Sequence, residues 1–480
     1  MTNVIIIQIR LSFACVYLTV SFQWLVAPAR SSTREAQRRG KPWAATTVPL
    51  ALDRLATNGR DGGVPADGQE RTVVGVRSDA AQEASVRKKL DSLACYFDAI
   101  CAPQGHSGRA AAMRTYCTGL LSPGGRKSVE LLAARLQPKR VQALHQSLHH
   151  MVAKAEWDDA ALLGAVRGRV LSAIVRSGPV RHWVVDEVCL PKQGAHSVGV
   201  ARQPCGASGR AVSCQVAICL WVGNEEAGLP VAFRLFLPPA WASDSARRVK
   251  AGVPDAVRAV ARTELALEQI RCALAGNVPP GVVLGGFEYG GDADFRFGVS
   301  GLGLSYALRI PPSTGVWLSS AGGPPVLAAE YAAALPLLAW RRAGRTRASS
   351  RFAATRVNPA APSAERADEW LLMERPDGQV DPAKFWLSNL PTFTTLRELV
   401  RCVEGGYRIE RDRRELEQEI GLAHYEGRGW RGFHHHASLC IAAYGFVVAG
   451  RCLQPRKSAS ERFALHELPL GFRPRGASRP

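Results

Sequence analysis

A change of hydrophobic period at Gly178-Pro179 constrains this chain more than any other feature. From Val86 to about Val180, apolar residues recur at helical spacing, as in Leu90, Leu93 and Phe97 and again in Val141, Leu144, Leu148 and Val152. Beyond it, His182-Trp183-Val184-Val185-Asp186 reads as a short buried strand ending in a carboxylate. Cys214 to Val222 reads as a second strand, and Leu229 to Leu237, stopped by Pro238-Pro239, as a third. Glu264 to Leu274 then places Leu267, Ile270 and Leu274 on one helical face. Pro279-Pro280-Gly281 breaks that helix ahead of the buried strand Val282-Val283-Leu284. Strands, helix and strand in this order specify a mixed α/β core behind a helical N-terminal domain over 86–180.

The 480 residues, 46% hydrophobic and 21% charged, suffice for two to four domains. Lys and Arg number 61 against 41 Asp and Glu, and the resulting charge of +20 points to a polyanion, nucleic acid ahead of anionic lipid. Acidic proteins are thereby poor partners. The expected organisation is a leader over 1–85, the helical, DNA-contacting domain over 86–180, and the first part of the core over 181–294. An inserted β-rich subdomain follows over 295–390, then a helical C-terminal part of the core over 391–450 and a basic tail over 451–480. The insertion carries an acid-free run with Arg341, Arg342, Arg345, Arg347, Arg351 and Arg356, readable as a phosphate track or as a solvated hairpin. Twelve scattered cysteines without a CxxC pair argue for reduced thiols and against a structural zinc site, with Cys189 a small buried hydrophobe. Leu11 to Pro28 is uncharged and ends near Ala27-Pro28-Ala29, which resembles a signal-peptidase site. Its polar Ser12, Thr19, Ser21 and Gln23 favour a non-functional leader and no stable membrane association.

The order of carboxylates carries the chemistry. Asp186 ends the first core strand, acids follow Val282-Val283-Leu284, and Glu410 lies in a late helix spanning Tyr407 to Ile420, closed by Gly421. Carboxylates brought together from distant elements are what a two-metal phosphodiesterase needs, because the ions sit where those elements meet. The same residues also read as a strand-end turn at Asp186 and a surface i,i+4 ion pair between Glu410 and Arg414. Arg408, Arg411 and Arg414 on the late helix, with Arg428, Trp430 and Arg431 beyond it, are the candidate DNA contacts. Trp430 reads equally as a base-stacking residue and as core. His434-His435-His436 cannot converge on one ion, since neighbours on a helix point about 100° apart.

Long runs of this sequence resemble bacterial insertion-sequence transposases of the DDE superfamily, endonucleases with an RNase H-like core. The runs are Lys192 to Gly206, Leu229 to Pro238, Lys250-Ala251-Gly252-Val253-Pro254, Phe385 to Pro391 and Gly421 to Phe446, and the resemblance extends over roughly 86–475. It implies an α/β fold of mixed α+β type, with an RNase H-like mixed sheet, an N-terminal helical domain and an inserted β-rich subdomain. It implies Mg²⁺ or Mn²⁺, two ions in an active enzyme, and double-stranded DNA with terminal inverted repeats, target DNA and a second copy of the chain as partners. The family's first catalytic aspartate falls on Asp186 and its third acid on Glu410. The second belongs in a Val-Leu-Ala-Asp-x-Gly-Tyr-Gly pattern, where this chain reads Val283-Leu284-Gly285-Gly286-Phe287-Glu288-Tyr289-Gly290, so Gly286 replaces the aspartate. The helix around Glu410 also has Gly406 and Glu417 where the family carries arginine and lysine. If the strand stays extended through 288, Glu288 faces the same side as position 286 and serves as the substitute acid and metal ligand.

The expectation is a transposase-like DNA-binding protein, cytoplasmic and nucleoid-associated, with cleavage impaired at Gly286. The alternatives are a non-catalytic DNA-binding remnant or inhibitor of transposition and, more distantly, a secreted or membrane-anchored protein built on residues 1–29.

Overall fold

The helical half is built by caps that the sequence supplies. The structure, a computed structural model, describes residues 91–205, 210–318, 324–343, 350–359, 368–379 and 381–453, with 11–12 and 15–16. Two compact units divide the chain, 1–72 and 73–480; in the first, Leu11–Ser12 pairs antiparallel with Cys15–Val16. The expected 1–85 leader, most of the uncharged segment and the tail beyond 453 lie outside the described residues. In the second unit, α1 (residues 91–101), α2 (Ser107–Leu121), α3 (Val129–Leu136), α4 (Val141–Ala153) and α5 (Asp159–Ser177) precede the sheet. Ser128 caps α3 through the Leu131 amide, and Asp158 accepts from the Ala160 and Ala161 amides at 2.9 and 3.1 Å to start α5.

Beyond Gly178 the chain forms β1 (His182–Pro191), β2 (Ala201–Pro204), β3 (Ala211–Gly223) and β4 (Gly228–Leu235). Helix α6 (Arg262–Ala275), β5 (Val282–Gly285), α7 (Phe287–Gly291), α8 (Ala293–Gly301) and β6 (Tyr306–Ile310) follow. Their order across the sheet is β4-β3-β1-β5-β6. Strand β3 runs antiparallel to both of its neighbours β4 and β1, and β5 and β6 are parallel to β1. This mixed five-stranded order, with helices on its faces, is an RNase H-like core. Its side chains, among them Trp183, Val185, Ile218, Trp221 and Leu284, are buried on both faces, as parallel pairing demands.

The insertion is continuous with that sheet. Strands β7 (Gly315–Leu318), β8 (Val326–Leu327), β9 (Ser350–Pro359), β10 (Glu369–Pro376) and β11 (Lys384–Ser388), with the short helix α9 (Ala328–Ala334) after β8, extend it to eleven strands, β11 pairing antiparallel with β6. The expected boundary at 295 therefore falls inside α8. The strands that are added begin after Ile310 and enclose a small apolar cluster of their own around Trp340, Val357, Leu371 and Phe385. The arginine run is not acid-free in space. Arg342 and Arg351 meet Asp377 from the turn after β10, at 2.5 and 3.5 Å, and Arg356 lies over the Trp370 ring, while Arg345 and Arg347 lie outside the described residues.

Helix α10 (Leu396–Arg414), opened by the reciprocal Thr395–Glu398 cap, runs into a π-helical turn at Glu415–Ile420 that Gly421 ends with φ of 100°. Helix α11 (Trp430–Leu453) then passes through the interior of the second unit, and nearly every side chain from Trp430 to Val448 is buried. It is long and apolar enough to cross a membrane, but its residues face α2, α4, α5 and β4. The three histidines point three ways within it. His434 accepts from the Leu235 amide at 3.2 Å, His435 faces the Val152 and Trp157 carbonyls, and His436 pairs with the Tyr116 hydroxyl at 2.8 Å.

Two sequence expectations about single residues are corrected. Cys189 is joined to Cys205 in a disulfide. Trp430 is buried against the His434 ring, 4.3 Å between centroids, and is core, not an exposed stacking platform.

The α7–β6 packing supplies a first prediction. A Cβ at Gly290 would stand 2.0 Å from the Arg309 carbonyl oxygen, a backbone atom that cannot swing aside. Gly290→Ala is expected to cost at least about 3 kcal/mol, the upper range for overpacking, and to lower the unfolding midpoint in a denaturant titration.

Candidate active site

The strand expected to end at Asp186 runs on to Pro191, and the chemistry gathers midway along it, level with the carboxyl end of β5. Asp186 sits opposite Cys219 in the β1–β3 ladder, and its Oδ1 accepts from the Glu187 amide at 2.9 Å. Parallel pairing of β1 with β5 sets Val184 against Leu284, so Gly286, just past the end of β5, and Asp186, midway along β1, each lie two residues beyond that pair. From the other side α10 presents Glu410, Arg413 and, one turn on, Glu417. Spacings of three and four residues put all three on one helical face.

Arg413 is the centre of this group. Its Nε lies 2.8 Å from Asp186 Oδ2 and its Nη1 donates to Glu417 Oε1 at 2.9 Å. Burial pushes the Asp186 carboxyl up to about 6. Arg413 opposes the shift, while the charges of Glu417 and Glu410 reinforce it. The same carboxylates hold the Arg413 guanidinium firmly protonated against its own burial. Sequence reading singled out Glu417 only as a departure from the family and missed Arg413. The i, i+3, i+7 spacing of Glu410, Arg413 and Glu417 was the available signal.

Glu187, one residue on and so on the opposite face of β1, heads a second cluster. Its Oε2 is 2.9 Å from Arg262, its Oε1 accepts from the Tyr289 hydroxyl at 3.3 Å, and Arg262 also contacts Glu288 at 3.3 Å and Gln203 at 2.9 Å. Burial, with a hydrogen bond to the Glu288 carboxyl, raises the Glu187 pKa. Strand β5 ends at Gly285. Gly286 then caps α7, so the extended strand that would bring 286 and 288 to one side does not exist. Glu288 is carried round the first helical turn to Arg262 and Glu187, whereas Asp186 keeps company with Glu410, Arg413 and Glu417. Asp292 serves as the cap of α8, its Oδ1 accepting from Phe295 at 3.0 Å.

The candidate DNA contacts separate into side chains committed within the fold and side chains exposed to solvent. Arg408 is spent internally: it forms two 3.1 Å bonds to the buried Asp412 and also donates to the Glu225 and Glu226 carbonyls. With its donors occupied it is a strut between α10 and the β3–β4 turn, which corrects its assignment to DNA. Arg431 bonds the Lys154 carbonyl and Glu156, at 3.0 and 2.9 Å. Arg411 is exposed beside Asp412, and Arg414 and Arg428 are exposed.

Two divalent ions require converging carboxylates with free oxygens. Here Gly286 has none to offer, an Asp186 oxygen is already paired with a guanidinium, and the cation at the centre of the three acids is Arg413. The residues present do not fit a two-ion site.

Residues 95–332 match the family model of the DDE superfamily endonucleases. The match takes in most of the helical domain, Asp186 and position 286, and stops short of Glu410. No curated protein sequence matches the chain. Enzymes of this superfamily are nucleases that use divalent metal ions on DNA. The matched 95–332, with their RNase H-like strand order and Asp186 on the first core strand, identify this part of the chain as a DDE superfamily endonuclease domain.

Proposed function

We propose that this protein is a transposase by descent that holds the terminal inverted repeats of an insertion sequence without cutting them, and that it interferes with an active relative. The observation that carries this reading is the Asp186–Arg413 ion pair, which puts a fixed protein cation where the family's chemistry calls for metal. Arg413 does for the acid cluster what an ion would do electrostatically, cancelling the repulsion between Asp186, Glu410 and Glu417 and a phosphate backbone. It cannot activate a water or a 3′-hydroxyl as a bound metal does, because it stays protonated. Exposed Arg411, Arg414 and Arg428 and the net charge of +20 support binding to double-stranded DNA at the nucleoid, as a homodimer across paired ends.

Two measurements on the full chain test this. A gel-shift titration is expected to give the same affinity in EDTA as in Mg²⁺ once ionic strength is matched, weakening steeply as salt rises. Supercoiled plasmid incubated with Mg²⁺ or Mn²⁺ is expected to stay supercoiled. Robust nicking that Asp186→Ala abolishes would overturn the reading.

A further inference from the structure

The β2–β3 hairpin carries a cluster that the nuclease framework leaves unused. Cys189 on β1, Cys205 just past β2 and Cys214 in β3 bring their sulfur atoms within 4.8 Å of one another, Cys214 buried and the others half-buried. Register alone would not do this. Cys189 faces Val216, whereas the Cys205 amide bonds the Arg210 carbonyl, six residues before Val216 and just ahead of β3. The two meet, 5.7 Å between Cα atoms, because the hairpin doubles back over β1. Gln203 fixes the fold-back: its side-chain amide donates to the Cys214 carbonyl at 2.9 Å and its oxygen accepts from Arg262 at 2.9 Å.

We propose that the reduced form of this cluster is a site for one soft divalent cation, Zn²⁺, held by the three thiolates with its fourth position open to water. Tetrahedral zinc with sulfur ligands at about 2.3 Å sets those sulfurs about 3.8 Å apart, within the spacing found. Three thiolates and Zn²⁺ leave one net negative charge. Arg262, held to the hairpin by the Gln203 side-chain oxygen at 2.9 Å, supplies a positive charge beside it. The Cys189–Cys205 disulfide is the oxidised counterpart of the site. A dithiol reductant delivers two electrons and two protons to it and becomes a disulfide in turn, after which zinc displaces the protons of the three thiols. The site belongs to the hairpin and does not depend on whether the nuclease cleft is active.

The test uses the full chain, reduced anaerobically with a dithiol, desalted, loaded with Zn²⁺ and competed with a chromogenic chelator. The wild type is expected to retain one equivalent that is lost in Cys189→Ser and in Cys214→Ser. Cys272→Ser, at an exposed cysteine of α6, retains it. Iodoacetamide labelling read by mass spectrometry gives the second readout. Zinc protects Cys189, Cys205 and Cys214 and leaves Cys272 modified, and circular dichroism confirms that each variant is folded. No zinc retained by the reduced wild type, or equal retention by a Cys189→Ser/Cys214→Ser double variant, overturns the proposal.

Discussion

Arg413→Ala is expected to destabilise the protein by about 2–4 kcal/mol at pH 8 and by much less at pH 5. Removing one partner of a sheltered ion pair strands the other charge, which costs about 3–5 kcal/mol for a fully buried pair. Here Arg413 and Asp186 keep 25% and 29% of their side chains exposed, and solvent screening reduces the figure. The pH dependence follows from the direction of the Asp186 shift. Its carboxyl titrates near 3.8 in an unfolded chain and at about 6 here, so the folded state binds the proton more tightly. That contribution to stability is complete below about pH 4 and is lost as pH rises through 6. Without Arg413 the folded pKa moves higher still, and the deficit opens as Asp186 ionises. Thermal melts of both proteins at pH 5 and pH 8 check this; an equal loss at the two pH values would reduce Arg413 to a packing residue.

Restoring the missing acid is expected to fail alone and to succeed in combination. A Cβ at Gly286 meets nothing within 4 Å, its φ of −76° suits any residue, and the position caps α7, where aspartate is favoured. Gly286→Asp should therefore fold as the wild type does, with equal or slightly higher stability. It should remain silent in plasmid nicking, because Arg413 still occupies the centre of the acid cluster. Gly286→Asp combined with Arg413→Ala gives the acids room for a cation, and this double variant is expected to take up Mn²⁺, read by paramagnetic broadening, where neither single variant does. Uptake by the Gly286→Asp variant alone would show that Arg413 yields readily to metal.

The fold was largely legible because its signals are local. The break at Gly178-Pro179 and the buried runs at 182–186, 214–222 and 282–284 all became core elements. The resemblance located Asp186 and the empty position 286. What stayed hidden needed partners from elsewhere in the chain. Asp377 neutralises arginines that look unopposed in sequence, Asp412 and two carbonyls consume Arg408, and a bent hairpin joins cysteines that lack any motif spacing. Glu288 was misread because its orientation turned on where a strand ends, and two glycines in succession gave that boundary no side-chain pattern to read.

The position of α11 has a consequence for how the chain is made. Tyr96 of α1 bonds the Ala442 carbonyl at 3.0 Å, Tyr116 of α2 bonds His436 and α5 lies along the same helix, so the N-terminal helices find their apolar partner some 250 residues after α5 ends. At synthesis rates of about 5–20 residues per second, that surface waits roughly 10–50 s on the ribosome before its partner emerges. During that interval the nascent chain is a client for holding chaperones, and a product cut short before Trp430 leaves the apolar faces of α1, α2 and α5 without the helix they pack on.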